Sequence, residues 1–327
     1  MYTRMDNSGV EDICYEHGHI EQVLNVIRNN FDPYFIRFLE SMAGKGISLE
    51  DIQVIQERFR IDGKVKKENR DLGENYKAII RQAIEDFEKD RGDYEKIFRR
   101  NWLEDLDEDA GSFKSKTLKN ECPIIRKTLA NKKAKELDKY RISFSMADPD
   151  WLLDVVYKLC VFGEEYQNKY DPNTYEDAQT YEDLELSLLD TDEYTAFGVI
   201  GGGIKTHMLY KVHPAIFPNR SRNAVWALWF LSGKRPFGCR TDSEFLMIDV
   251  KKIITQQNYF YPYQLFAYYA FEIYKMLRDK AADYNAYIDT NYRYVIVDAF
   301  MEFVAMEHES EINILRAQIK EGANGDA

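Results

Sequence analysis

A mainly helical, multi-helical fold with room for a few short strands is the class this sequence predicts, and three observations lead to it. Apolar residues recur at three- and four-residue steps along most of the chain. Those runs begin at Asp, Ser or Pro and stop at Gly, as helix caps do. The faces between the apolar stripes carry Glu, Asp, Lys and Arg at spacings that allow ion pairs one turn apart. An aromatic content of 14% excludes a wholly disordered chain, which would lack the rings to build a core.

Residues 1–18 show no period; Cys14, His17 and His19 sit close together but lack a second ligand pair, so they read as surface residues rather than a metal corner. Ile20, Val23, Leu24, Ile27 and Phe31 predict a first helix, and Asp32-Pro33 predicts the start of a second through Phe35, Phe38 and Met42 to Gly44. Ser48 to Asp51 opens a further helix with Ile52, Ile55 and Phe59. From Asn75 to Leu106 the stripe Tyr76, Ile79, Ile80, Ala83, Ile84 and Phe87 predicts one long helix or two shorter ones. The span from Glu104 to Lys116 is acidic, then Ser- and Lys-rich, and reads as a linker. Leu118 to Tyr140 is weakly helical, and the alternation Arg141-Ile-Ser-Phe-Ser145 predicts a short strand. Asp148-Pro149 caps a helix carrying Trp151, Leu152, Val155, Val156 and Leu159. A polar loop from Gln167 to Thr180 and a short helix from Tyr181 to Leu189 follow. Ser221 predicts the cap of a helix that ends at Gly233. Rings from Tyr259 to Tyr274 at helical spacing predict a packed aromatic core, and Val297 to Lys320 an amphipathic last helix. Three regions result: a charged helical region over 1–110, a connecting segment over 111–147, and a helical domain over 148–327.

The bulk properties narrow the classes. The longest apolar run near the middle, Ala224 to Leu231, is far too short to span a bilayer, and the first residues have no apolar signal stretch. Four cysteines without paired spacing predict reduced thiols, so a cytoplasmic protein with no membrane contact is expected. A net charge of −12 opposes attraction to nucleic acid over the whole surface.

Against that background, Tyr194 to Thr241 contains no Asp or Glu but does contain Lys205, Lys211, Arg220, Arg222, Lys234, Arg235 and Arg240. The island opens on Gly201-Gly202-Gly203, followed by Lys205 and Thr206. Glycines let backbone N–H groups approach an anion, and a helix beginning there would aim its positive end at the same point. Together Gly201, Gly202, Gly203, Lys205, Thr206, Lys211, Arg220 and Arg222 are the expected phosphate-contacting residues. Ile204 between the glycines and Lys205 spoils a nucleotide P-loop.

Val199-Ile200-Gly201-Gly202-Gly203-Ile204-Lys205-Thr206 resembles the helix-hairpin-helix of DNA-repair glycosylases and related DNA-binding proteins over about forty residues. Ile200 stands where that family has Pro, and His207 where it has Ala. The resemblance implies a backbone grip on a nucleic-acid phosphate, DNA in the first instance. It does not bring the family's chemistry, because Asn219 and Asn223 occupy the neighbourhood of its catalytic Asp.

Asp242, Asp249 and Lys251 carry the alternative. An apolar run ending in Asp249-x-Lys251, with Gln264-x-x-x-Tyr268 beyond it, resembles the PD-(D/E)xK nucleases. That resemblance implies a divalent metal, Mg²⁺, as cofactor. The competing reading makes Thr241 and Glu244 a capping box and the segment a helix, which the spacing of Leu246, Val250, Ile253 and Ile254 favours. A third reading is an interaction protein whose N-terminal helices dock another chain. No cofactor other than that metal is implied.

Overall fold

The computed structural model describes residues 12–41, 72–134, 137–235, 237–239, 244–249, 254–258 and 260–322. It is built of α-helices, here numbered α1 (His17–Glu40), α2 (Leu72–Ile97), α3 (Arg100–Asp105), α4 (Pro123–Ala130), α5 (Asp138–Met146), α6 (Pro149–Lys169), α7 (Gly202–Val212), α8 (Arg222–Leu231), α9 (Tyr263–Asp283), α10 (Arg293–Glu307) and α11 (Glu309–Gly322). Among the described residues one antiparallel pairing joins β1 (Leu246–Asp249) to β2 (Ile254–Gln257), with Leu246 opposite Gln257 and Asp249 opposite Ile254. The mainly helical class is therefore what the chain adopts. Among the described residues no helix is long and apolar enough to cross a membrane.

The core is one continuous cluster running from Cys14 to Ile312. α8 packs chiefly against α10, α9 lies beside α10, and α7 is held between α2, α6 and α4. The aromatic segment packs inward as its spacing predicts; the Tyr268 hydroxyl reaches a backbone acceptor, Gln179 O, whereas those of Tyr269 and Tyr274 are buried without a hydrogen-bond partner among the described residues. Tyr263 Oη donates to Pro218 O at 3.0 Å, and Tyr76 Oη, from α2, donates to Leu277 O at 3.0 Å. Each such bond offsets the cost of burying a hydroxyl.

Several local expectations are corrected. The first two helices are one: α1 runs through Pro33, because both halves bury the same face, from Ile20 through Phe31 to Leu39. The expected linker is helical, with Phe113 and Leu118 fully buried, so apolar anchors override its charged composition. Arg141 to Ser145 lies in α5 and not in a strand, and of that helix only Phe144 is buried. The polar loop after α6 contains a short helix, Pro172–Glu176, capped by Asp171 and pinned by buried Tyr175. Cys14 and His19 are buried and not on the surface. The helix expected from Ser48, with Ile52, Ile55 and Phe59, lies outside the described residues. Other expectations hold: Asp148 caps α6, Ser221 Oγ accepts from Ala224 N at 3.0 Å, and Gly233 ends α8 at φ +72°.

Candidate functional site

The glycine stretch does form a tight turn that launches a helix. Ala196 N donates to Ile200 O at 3.1 Å and Ile200 N to Ala196 O at 2.7 Å, closing a small loop. The residue that turns it is Gly198, at φ +80°, and none of Gly201, Gly202 and Gly203 has a positive φ. Before the loop there is one turn of 3₁₀ helix, Asp192–Tyr194, so only the second arm of a helix-hairpin-helix is a full helix. Within the triplet, Gly202 has a packing role. A Cβ there would lie 2.8 Å from the Arg220 guanidinium, so the missing side chain makes room for a cation.

That cation is internal. Arg220 is 6% exposed, and its Nη1 donates to Tyr261 O at 3.0 Å. Lys205, 5% exposed, donates to Leu189 O and, at 3.0 Å, to Thr195 Oγ1. Both act electrostatically on the half-buried carboxylate of Asp190, which also accepts from Tyr263 N at 2.6 Å and Gln264 N at 3.1 Å at the start of α9. Burial raises the Asp190 pKa, while the two N–H groups and the two cations pull it back. Burial also lowers that of Arg220. Thr206 is buried and donates to Gly202 O at 2.7 Å.

Lys211 faces elsewhere: its Nζ lies 2.7 Å from Asp90 Oδ1 and donates to Phe87 O at 2.9 Å. Lys234 pairs with Glu311 at 2.7 Å, and Arg222 is exposed, its Nε donating to Asn223 Oδ1 at 3.4 Å. The expectation of one accessible cationic surface is thus corrected. An island with no acid in its own sequence recruits Asp190, Asp90 and Glu311 from outside it, because a buried cation needs a counter-charge.

The opposite side of α7 holds a different arrangement. His207, Tyr210 and Lys211 recur at three and four residues and so share one face. They border a cleft of about 650 Å³ between α1, α2, α7 and α10. Its walls are apolar, including Phe38, Ile79, Ala83, Val295, Phe303 and Met306. Asp298 of α10 lies in this wall. Asn219 Nδ2 donates to its Oδ1 at 3.0 Å, and the Tyr210 hydroxyl bonds to it as well. With its amide nitrogen so engaged, Asn219 turns its oxygen to His207 Nδ1 at 3.3 Å, which fixes the proton on that ring nitrogen. Burial, reinforced by Glu302, pushes the Asp298 carboxyl up to about 7. Burial, with Lys211 next, pulls His207 down to about 4, so it is neutral at physiological pH.

The cleft's charge is one-sided. Among the described residues, Asp86, Asp298, Glu302 and Glu307 line it against one cation, Lys211, which is tied to Asp90. Asp86 is paired with Lys89 at 2.5 Å and Glu307 with Arg37 at 2.5 Å, whereas Glu302 accepts a bond from Asn223 at 2.8 Å. Asp298 therefore has amide and phenol donors and feels the field of Lys211, but among the described residues no cation is bonded to it.

Of the residues expected for the nuclease, Asp249 lies at the end of β1, and Asp242 and Lys251 fall outside the described residues. The segment Leu246–Asp249 is a strand, which corrects the helical expectation. Glu244 has left the expected capping box to accept from Phe237 N at 2.9 Å and Cys239 N at 3.0 Å. Among the described residues no group of three His, Cys, Asp or Glu is disposed to hold a metal ion. Gln264 and Tyr268 both lie in α9, where Gln264 N is bound to Asp190 and the Tyr268 hydroxyl to Gln179 O.

Sequence reasoning missed Asp190, Asp298 and Asn219. One signal was available: Asp298 interrupts the apolar run Tyr294-Val-Ile-Val-Asp-Ala-Phe-Met301, where a lone acid demands a partner or a purpose. Comparison of the chain with protein-family models, curated proteins and solved structures gives no match.

Proposed function

We propose that this protein binds a small organic cation with an apolar body in the cleft between α1, α2, α7 and α10. The observation that carries this reading is Asp298: a carboxyl group in an apolar wall, held by Asn219 and Tyr210, with no cation bonded to it there. A cleft of this size with apolar walls and a few converging polar groups is the usual form of a small-molecule site, and a perturbed carboxyl inside it strengthens the inference. The apolar walls take the body of the ligand, and Asp298 with Glu302 takes the charge.

The test is a calorimetric titration at pH 8 with a series of primary n-alkylamines and the matching n-alcohols. Affinity rises about fourfold for each added methylene as it is buried, and the alcohols bind at least tenfold more weakly than the amines. Equal affinity of amines and alcohols, or no binding by either, removes the reading.

One observation favours a second reading, a metal-dependent nuclease: Leu246–Asp249 is a strand, the conformation that the Asp249-x-Lys251 resemblance requires. It predicts Mg²⁺-dependent cleavage of DNA that disappears in a folded Asp249→Asn variant, and an inert wild type removes it. Nucleic-acid binding through the glycine turn predicts salt-sensitive DNA affinity that weakens in Lys205→Ala and Gly203→Val. Unchanged affinity in both folded variants removes the turn from any such contact.

A further inference from the structure

All four cysteines are thiols; Cys14, Cys122 and Cys160 are buried, and Cys239 is half-buried. Cys239 lies in a short loop after α8, and its Sγ is 3.7 Å from His19 Nε2, in the first turns of α1. The two residues are 220 positions apart, so local sequence does not reveal the pair. Both partners are held. The His19 ring packs edge-on against Phe237 at 5.5 Å between centroids. The loop is clamped by Glu244, whose Oε1 accepts from Phe237 N at 2.9 Å and Cys239 N at 3.0 Å, and Gly238 supplies the positive φ of +80° that bends it. A hollow of about 510 Å³, lined by Ile13, Glu16, His19, Asn25 and Phe237, opens beside the imidazole.

We propose that Cys239 and His19 form a thiol–imidazole pair that reacts with small, soft carbon electrophiles. As the Cys239 Sγ–carbon bond forms, the thiol proton passes to His19 Nε2 and from there to water, and the leaving group departs with its electron pair. A thiol within hydrogen-bond reach of a neutral imidazole is the minimal activated-nucleophile arrangement. The clamp also selects the reaction. The Phe237 and Cys239 N–H groups that could stabilise an oxyanion are occupied by Glu244, so alkylation is favoured over acyl transfer. Burial keeps His19 neutral to lower pH than a free imidazole, against the opposing pull of Glu16. Among the described residues, the other titratable groups around the pair are Glu21 at the hollow, Glu244 in the clamp, and Tyr261 and Tyr269, which interact electrostatically with Cys239 and Cys14. Burial raises the pKa of both tyrosines, so neither is charged near neutrality.

Iodoacetamide labelling of the full chain, followed cysteine by cysteine by mass spectrometry between pH 6 and pH 9, tests this. In each event Sγ displaces iodide. At pH 7 Cys239 labels first, at least tenfold faster than in His19→Gln, and Cys239→Ser removes the early label. The pH profile of the wild type gives a readout that does not depend on the variant folding. An unassisted thiol slows about tenfold per unit below a pKa near 8.5, whereas the assisted thiol slows less steeply until His19 protonates. A tenfold-per-unit fall in the wild type, or equal rates in the wild type and folded His19→Gln, overturns the proposal. The cleft at Asp298 plays no part in this outcome.

Discussion

Asp190 and Asp298 lie on opposite sides of α7, both withdrawn from bulk water, and they differ in how the fold answers their charge. Asp190 receives two backbone N–H groups from the start of α9 and the fields of Arg220 and Lys205. Asp298 receives an amide and a phenol and the field of one cation, Lys211, whose ammonium is itself paired with Asp90. The first carboxylate is finished by the fold, and the second is left for something else to complete. Burial alone does not mark a functional acid; what marks Asp298 is a place at the edge of a cleft with no cation at ion-pair distance among the described residues.

This contrast can be broken from either side. The largest effect is expected at Asp190. Arg220→Met strands part of a buried ion cluster and lowers stability by about 3–5 kcal/mol, measured by urea denaturation; a loss under about 1 kcal/mol would mean that Asp190 does not depend on Arg220.

Next comes Asp298→Asn, where the sign is set by linkage. The folded state keeps the Asp298 proton up to about 7, and an unfolded carboxyl loses it near its ordinary value of 3.8. Between those values the folded state binds more protons, so wild-type stability falls as pH rises. The Asn variant lacks that fall. Its melting temperature relative to wild type should therefore climb from pH 4.5 to pH 8, by an amount equivalent to roughly 2–3 kcal/mol with allowance for water in the cleft. A difference independent of pH would show that Asp298 titrates normally.

A smaller effect separates adjacent glycines. Gly202→Val drives a side chain into the Arg220 guanidinium and should cost about 1–3 kcal/mol. A Cβ at Gly203 meets nothing closer than Arg220 O at 3.6 Å, so Gly203→Ala is neutral or stabilising by up to about 1 kcal/mol. Thermal melts of the two variants check the order, and equal losses would remove Arg220 as the reason for the triplet. The smallest effect is at Lys211→Met, about 1 kcal/mol in the same assay, because Lys127 at 3.2 Å still holds Asp90. A loss as large as that of Arg220→Met would place Lys211 with the internal cluster instead.

How far the sequence carried follows the same division between local and distant causes. Caps and stripes were legible because their partners lie within a turn or two: Asp148 before α6, Ser221 before α8, and the rings of α9. Pro33 misled, since a shared buried face outweighs the single backbone bond a proline removes. The basic island shows that cations are gathered in the sequence, not whether they meet a ligand or the fold's own acids. The anions it meets, Asp190, Asp90 and Glu311, are placed by tertiary contacts that no local pattern encodes. Asp298 with Asn219, and Cys239 with His19, are likewise distant pairs, visible only once α7, α8 and α10 or α1 and its neighbouring loop are assembled.

The most direct measurement of the central claim is the affinity of n-hexylamine across pH 5.5 to 8.5, in the wild type and in Asp298→Asn. The ligand stays cationic throughout, so any change reports the protein. As Asp298 loses its proton through about pH 7, wild-type affinity should rise at least tenfold, while the variant stays weak and flat. A wild-type profile that is flat, or one that the Asn variant reproduces, would contradict Asp298 as the acid left open for a ligand.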